Sequence, residues 1–230
     1  MDLKPKIQYT RRGALQSLLA LGLAGCGASP TLDLVGRTIS GRPKTDSGYG
    51  LSIAQIKDLP YASLGVRIGG GAPLVMVLAT VEGGDLHWVS SDRAILVTRA
   101  GRLVQTVGLQ RDLRATQYVA DDPLRQIYMS GSVAAAPLVW RYIDLSNKDA
   151  FGVVVESQFS IVGDETLSIL GAPHETLHVR EHIRMPTWRW SVSNDFWLER
   201  DSGRLRKARQ QYCPEQAAIE YELLKPPATA

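Results

Sequence analysis

From residue 62 onward the chain alternates apolar and polar residues or gathers the apolar ones into short runs. LGVRI (64–68), PLVMVLATV (73–81), AILVT (94–98) and RLVQTVGL (102–109) are such segments. Turn-forming clusters separate them: GGG at 69–71, EGGD at 82–85 and RAG at 99–101. Side chains on a strand alternate between two faces, so this period of two predicts half-buried strands joined by tight turns. The pattern continues at 140–146, 152–162, 166–170, 175–184, 186–193, 196–200 and 204–212, and ends with IEYELL at 219–224. Segment 111–128 has no clear period and leaves room for a helical turn. One helix is expected near the start. Ser52 and Gln55 fit a capping box ahead of Ile53 to Leu59, and Pro60 stops it. A helix of about two turns holds only when packed on something larger. The expected fold is all-β and mainly antiparallel, a sandwich or partly open barrel.

A faint echo runs through the chain. Trp88, Asp92 and Gly101-Arg102-Leu103 recur as Trp190, Asp195 and Gly203-Arg204-Leu205. Two readings stay open: shared turn chemistry in two hairpins, or a duplication giving two similar halves.

Charge changes the picture at the N-terminus. Residues 1–26 carry Lys4, Lys6, Arg11 and Arg12 against Asp2 alone. Residues 27–230 carry 22 basic and 22 acidic side chains. A neutral body does not suit nucleic acid, whose phosphates demand a basic surface. The cationic start precedes an apolar run from Ala14 to Ala24 and then LAGC at 23–26. That order is an export signal, and the run is short of the ~20 residues that span a bilayer. Small residues ending in cysteine resemble the lipobox of bacterial lipoproteins, in which the cysteine is acylated and begins the mature chain. The expected organisation is a signal peptide at 1–25, a lipidated flexible tether at 26–50 and one β domain at 51–226. Thr10-Arg11-Arg12 resembles a twin-arginine motif, so the export route stays open. With lipid on Cys26, Cys213 has no partner in the chain, and a partly buried inert thiol is expected rather than a nucleophile.

HETLH at 174–178 spells H-E-x-x-H, and His182 follows. A zinc site of this kind needs both histidines on one helical face. Here Leu177, Val179 and Ile183 alternate with Thr176, His178, Arg180, His182 and Arg184. This is a strand, and Glu181 is the one polar residue on its apolar side. Residues four apart on a strand sit ~13 Å apart, too far to chelate one zinc. His178 and His182 are expected on the solvent face, and no metal or cofactor is assigned. Gly69-Gly70-Gly71 reads as a hairpin turn, because no Lys-Ser/Thr follows it. Asp121 and Asp122 sit in a loop beside Pro123 and form no hydrolytic pair with a nameable partner.

Five tryptophans accompany three phenylalanines. Most are expected in the core. Trp188 and Trp190, read as one face of a strand with Arg189 on the other, are candidates for a saccharide or partner contact. Arg204 and Arg206, within a basic run that includes Lys207 and Arg209, suit an acidic polymer or lipid head groups. The plainer reading of that run is a solvated hairpin face.

The stretch 59–109 resembles the YjbF/GfcB family of bacterial lipoproteins, through LPYAS, the W-x-S-x-D stretch at 88–92 and LVTRAGRLVQTVGL. The second half agrees through W-x-x-x-N-x-F-W at 190–197, D-x-G-R at 201–204 and the closing ELLKPP. The resemblance implies an outer-membrane lipoprotein facing the periplasm and connected with exopolysaccharide or capsule production, with no catalytic residues to carry over. A non-catalytic accessory factor, touching polymer or an export-machinery protein, is the leading expectation. A zinc-dependent or polysaccharide-modifying hydrolase and a stand-alone carbohydrate-binding module are the rivals.

Overall fold

The computed structural model describes residues 46–119, 121–130, 138–146 and 150–228. The segments expected to be signal peptide and tether, with Cys26, lie outside them up to residue 45. Twelve strands are described. The first six are β1 (Ser63–Ile68), β2 (Leu74–Glu82), β3 (Asp85–Val89), β4 (Ile95–Arg99), β5 (Arg102–Val107) and β6 (Leu113–Tyr118). The rest are β7 (Val139–Leu145), β8 (Val153–Ile169), β9 (Ala172–Met185), β10 (Trp190–Glu199), β11 (Leu205–Gln210) and β12 (Ile219–Lys225). Helices α1 (Ile53–Asp58) and α2 (Pro123–Ser130) and a 3-10 turn (Pro186–Trp188) complete the described elements.

The strands form one sheet in the order β5-β4-β3-β2-β1-β12-β11-β10-β9-β8-β7-β6. Every neighbouring pair is antiparallel. Strands consecutive in the chain supply each link, with α2 inserted between β6 and β7, except β1–β12, which joins a five-strand meander to a seven-strand one. Sheets twist, and a sheet this wide curls. Here β5 and β6, the two ends, come together in a nearly closed barrel. No regular ladder joins them; side chains do. Thr116 Oγ1 donates to the Val104 carbonyl (3.1 Å), and the Leu113 amide donates to Thr106 Oγ1 (2.9 Å). From β11, across the barrel, Gln210 Oε1 accepts from the Leu103 amide of β5 at 3.2 Å. These bonds satisfy edge groups that would otherwise invite another strand.

The expected alternation holds. In β9, Leu177, Val179, Ile183 and Met185 are buried, while Arg180, His182 and Arg184 are exposed. In β12, Ile219, Tyr221 and Leu223 face the core and Glu220 and Glu222 face out. Inward residues of both meanders, among them Met76, Trp88, Leu96, Val155, Phe196 and Ala208, make one core.

The capping box forms as read. The Gln55 amide donates to Ser52 Oγ (3.1 Å), and the Ser52 amide donates to Gln55 Oε1 (2.8 Å). Fully buried Ile56 pins α1 against Val75, Leu51 and Leu224 on the barrel's outside. Lys225 Nζ closes the helix end by donating to the Lys57 carbonyl (2.9 Å) and to that of Leu59. The LPYAS and ELLKPP stretches meet through this contact.

Some details differ from the sequence pattern. DLHWV at 85–89 is a strand of its own, and 113–118 is another. Segments 152–162 and 166–170 merge into β8, with a register shift between Ile161 and Gly163. The β8–β9 turn places Leu170 (φ 51°) and Gly171 (φ 78°) in left-handed backbone, the geometry that matches strand twist. The echo resolves as turn chemistry. Trp88 lies within β3 and Asp92 in a turn, whereas Trp190 opens β10 and Asp195 lies in mid-strand. Only the Gly101 and Gly203 turns take matching places, ahead of β5 and β11.

Candidate functional site

HETLH lies inside β9 in extended backbone. Each histidine meets its own group on β10. His174 Nδ1 is 3.5 Å from Glu199 Oε1, His178 Nε2 is 2.8 Å from Asp195 Oδ1, and His182 Nδ1 is 3.4 Å from Ser193 Oγ. The helical chelating arrangement is therefore not formed. His182 is exposed as expected, but His178 is not: it is only 8% exposed. Its ring stacks on Trp197, with centroids 4.4 Å apart and planes 14° from parallel. Trp197 Nε1 donates to Glu165 Oε2 at 2.7 Å, and Lys207 Nζ sits 5.7 Å from the indole centroid on β11. The outer face thus buries a histidine by stacking neighbours across three strands.

Ion pairs cover much of the same face. Arg184 meets Glu156 (2.6 Å), Arg180 meets Asp195 (2.9 Å), Lys207 meets Glu222 (2.8 Å) and Arg209 meets Glu220 (3.3 Å). All four are direct cross-strand partners, the spacing at which opposite charges attract best on a sheet.

The folded body reaches back into the segment read as tether. Asp46 Oδ1 accepts from the Ile53 amide at 3.0 Å. The Tyr49 ring lies against Gly65 of β1, and its hydroxyl donates to Glu222 Oε2 at 2.8 Å. A Cβ on Gly65 would come within 2.3 Å of the Tyr49 ring, so glycine is what admits the ring.

Inside the barrel is a group of charges. Glu181, the polar residue on the apolar side of β9, is fully buried. Arg102 Nη1 donates to its Oε2 (2.8 Å), Arg141 Nη1 to its Oε1 (2.7 Å), and Asn194 Nδ2 to its Oε2 (3.1 Å). Arg102 also donates to both carboxylate oxygens of Asp122, at 2.6 and 3.2 Å. Its guanidinium sits 5.2 Å from the Phe196 ring centroid and 5.8 Å from that of Phe159. Burial disfavours the Glu181 carboxylate, but the two guanidinium groups outweigh it and hold the carboxyl well below its ordinary range. Two cations and two anions cancel. Glu181 stays ionised at neutral pH, and both its oxygens are engaged, so it is poorly suited to general acid or base work. The cluster ties β5, β7, β9, β10 and the start of α2 together across the seam. The sequence signalled Glu181 by breaking the period. Arg141 broke it too, on the parity of Ile143 and Leu145, but was not singled out.

The residues expected to touch saccharide or a partner do not share one surface. Trp188 ends the 3-10 turn and Arg189 is left-handed (φ 48°), so Trp188 and Trp190 do not line one strand. Pro186 and the sharp turn interrupt the extended run that the alternation suggested. Both tryptophans are half-buried against the core, and the Arg111 guanidinium covers Trp188 at 5.3 Å. Arg204 and Arg206 lie beside the other end of β10, next to Leu198 and Glu199 and roughly 25–30 Å along the strand from Trp190. Arg206 Nε donates to Glu199 Oε1 at 2.9 Å. Meanwhile Trp140 (44% exposed) and Tyr142 (42%) stand together on the outer face of β7, unsignalled because β7 read only as one more half-buried strand.

Cys213 is fully buried, and burial raises its thiol to about 11. Burial and the raised pKa both disfavour the thiolate, the reactive form of a cysteine.

A cavity of about 380 Å³ opens at one end of the barrel. Its walls are mostly apolar, from Leu64, Leu86, Trp88, Leu205 and Leu223. The β4–β5 and β10–β11 turns meet at its mouth, where a Cβ on Gly101 would lie 2.7 Å from Leu205.

The sequence model of a family described as "Group 4 capsule polysaccharide lipoprotein gfcB, YjbF" matches residues 36–224. The chain is 30% identical over 222 residues to the uncharacterized lipoprotein GfcB of Escherichia coli (strain K12), covering 94% of this chain and 99% of that one. It is 27% identical over 211 residues to the uncharacterized lipoprotein YjbF of the same organism, covering 90% and 95%. A crystal structure of the hypothetical lipoprotein YmcC from Escherichia coli (K12) has the same fold, with a TM-score of 0.71 at 24% identity over 97% of this chain and all of that one. Matched over most of its length by sequence and by barrel alike, the chain belongs to the YjbF family of group 4 capsule polysaccharide lipoproteins.

Proposed function

We propose that this chain is a non-catalytic accessory factor in capsule polysaccharide production or export. Lipid on Cys26 holds it at the outer membrane, and the barrel faces the periplasm. The observation that carries the reading is the family match across residues 36–224, in a chain that also has a cationic start, an apolar run and LAGC in lipoprotein order. The interior supports it too, since the buried carboxylate and guanidinium groups are spent on one another. The polymer meets the outer face of β7. Trp140 and Tyr142 are two residues apart, which puts both rings on one face about 7 Å apart. Flat exposed aromatics at that spacing offer the apolar sides of sugar rings a stacking surface. Gln117 and Glu156, the cross-strand partners of Tyr142 and Trp140, flank it with hydrogen-bonding groups.

Two measurements test this. Cys26→Ala should move the protein from the membrane to the soluble periplasmic fraction and reduce surface capsule in a strain lacking the wild-type gene; full membrane retention would remove the anchor. Trp140→Ala with Tyr142→Ala should abolish retention on immobilised native polysaccharide while leaving the fold intact by circular dichroism. Unchanged retention would place any polymer contact elsewhere.

A further inference from the structure

The cavity at the barrel end has one unmatched charge. Its polar lining is otherwise satisfied internally. Trp88 Nε1 donates to Thr98 Oγ1 at 2.9 Å, and the Gly101 carbonyl accepts from Gln210 Nε2 (3.1 Å) and from the Tyr221 hydroxyl. Arg204 lines the cavity too. Among the described residues its guanidinium has neither a hydrogen bond nor an ion pair; only its backbone is engaged, the amide by Ser202 Oγ and the carbonyl by the Glu199 amide at 2.8 Å. Its basic neighbours differ, for Arg206, Lys207 and Arg209 are all paired with carboxylates. An unpaired guanidinium on a half-buried arginine beside an apolar hollow is an incomplete arrangement, because a charge next to apolar walls gains from a counter-ion.

We infer that the cavity binds a free single-chain fatty-acid-type amphiphile, its acyl chain against Leu64, Leu86, Trp88, Leu205 and Leu223 and its carboxylate on Arg204. About 380 Å³ is within the range of small-ligand sites, toward the small end, which suits one chain rather than two. A planar guanidinium engages a carboxylate through two parallel bonds, and one cation balances one negative charge. The acyl groups carried on Cys26 are not the occupant: an uncharged glyceryl thioether leaves Arg204 without a counter-ion. The inference is independent of the capsule role and of the β7 surface.

The test uses the full chain with Cys26→Ala, which carries no acyl group of its own, and calorimetric titration with dodecanoate, dodecanol and a lysophosphatidate. One dodecanoate should bind per chain. Arg204→Gln should weaken dodecanoate about tenfold and leave dodecanol unchanged. Leu86→Trp, which fills the hollow, should abolish binding of both, with circular dichroism verifying the fold. Absence of dodecanoate binding would overturn the inference, as would equal affinity in the parent chain and Arg204→Gln. Tighter binding of the lysophosphatidate would overturn the carboxylate assignment. If the acylated wild-type protein refuses dodecanoate while Cys26→Ala accepts it, the chain's own lipid is the occupant and the inference fails.

Discussion

Gly65 has its effect through the side chain it lacks. Tyr49 lies where a Cβ would sit, and this contact, with the bond to Glu222, straps the segment ahead of α1 to the barrel. Gly65→Val should push the ring off and destabilise the protein by about 1–3 kcal/mol, the usual cost of overpacking. Protease cleavage between residues 46 and 51 should become faster than in the wild type; an unchanged rate would mean that the strap holds without Tyr49. His178 makes a related point. Alternation placed it on the outer face correctly, yet Trp197 and Asp195 cover it there. Facing outward on a strand does not mean being wet when an aromatic neighbour lies directly opposite.

At the scale of elements, the interesting join is the one without a ladder. Thr106 of β5 accepts from the Leu113 amide at 2.9 Å and donates to Asp112 Oδ1 at 3.2 Å. Its side chain thereby substitutes for the backbone pairing that β5 and β6 lack. Thr106→Val keeps the shape and removes both bonds, with the 3.2 Å contact to the Tyr212 hydroxyl, leaving the buried Leu113 amide without its acceptor. The expected loss is about 1–3 kcal/mol, with faster hydrogen exchange at Leu113 than at Tyr221 of β12, in the middle of the sheet. Equal protection at both sites would show that the seam is closed by packing alone. The W-x-S-x-D stretch acts on the same scale. Ser90 Oγ accepts from the Ala94 amide at 2.9 Å and its hydroxyl meets Asp92, which sets the β3–β4 turn. This part of the family resemblance is turn-building chemistry.

For the molecule as a whole, the buried charges make closure depend on pH. Glu181→Gln would leave Arg102 and Arg141 without their shared carboxylate, and breaking a buried pair in this way costs about 3–5 kcal/mol. The fold holds the Glu181 carboxyl below its unfolded value. Its stabilisation is therefore complete above the unfolded carboxyl range, near pH 4–5, and is lost as pH falls below it toward the lower folded value. Urea midpoints of wild type and variant should differ most at pH 7 and converge as the pH drops below about 4. A gap that stays constant with pH would mean that the carboxylate charge is not what the variant loses. The long-range legibility of the fold divides along similar lines. Alternation and turn clusters revealed most strands, the capping box and the extended state of HETLH, because backbone geometry sets those from near neighbours. DLHWV and 113–118 escaped: each is short, and His87, Arg114 and Gln117 blur the contrast between faces. The break at Trp188 escaped because residues 186–193 alternate in letters while the backbone turns at Arg189.

By itself, then, the sequence determined the local conformations, the antiparallel β class, the lipoprotein-like start and the presence of one misplaced carboxylate, since each depends on a few adjacent residues. Only the tertiary structure decided that the sheet curls until β5 meets β6, that Glu181 finds two arginines 79 and 40 residues away, and that Arg204 stands unpaired beside an apolar hollow. Those are meetings across the barrel, and register and curvature arrange them rather than any spacing along the chain.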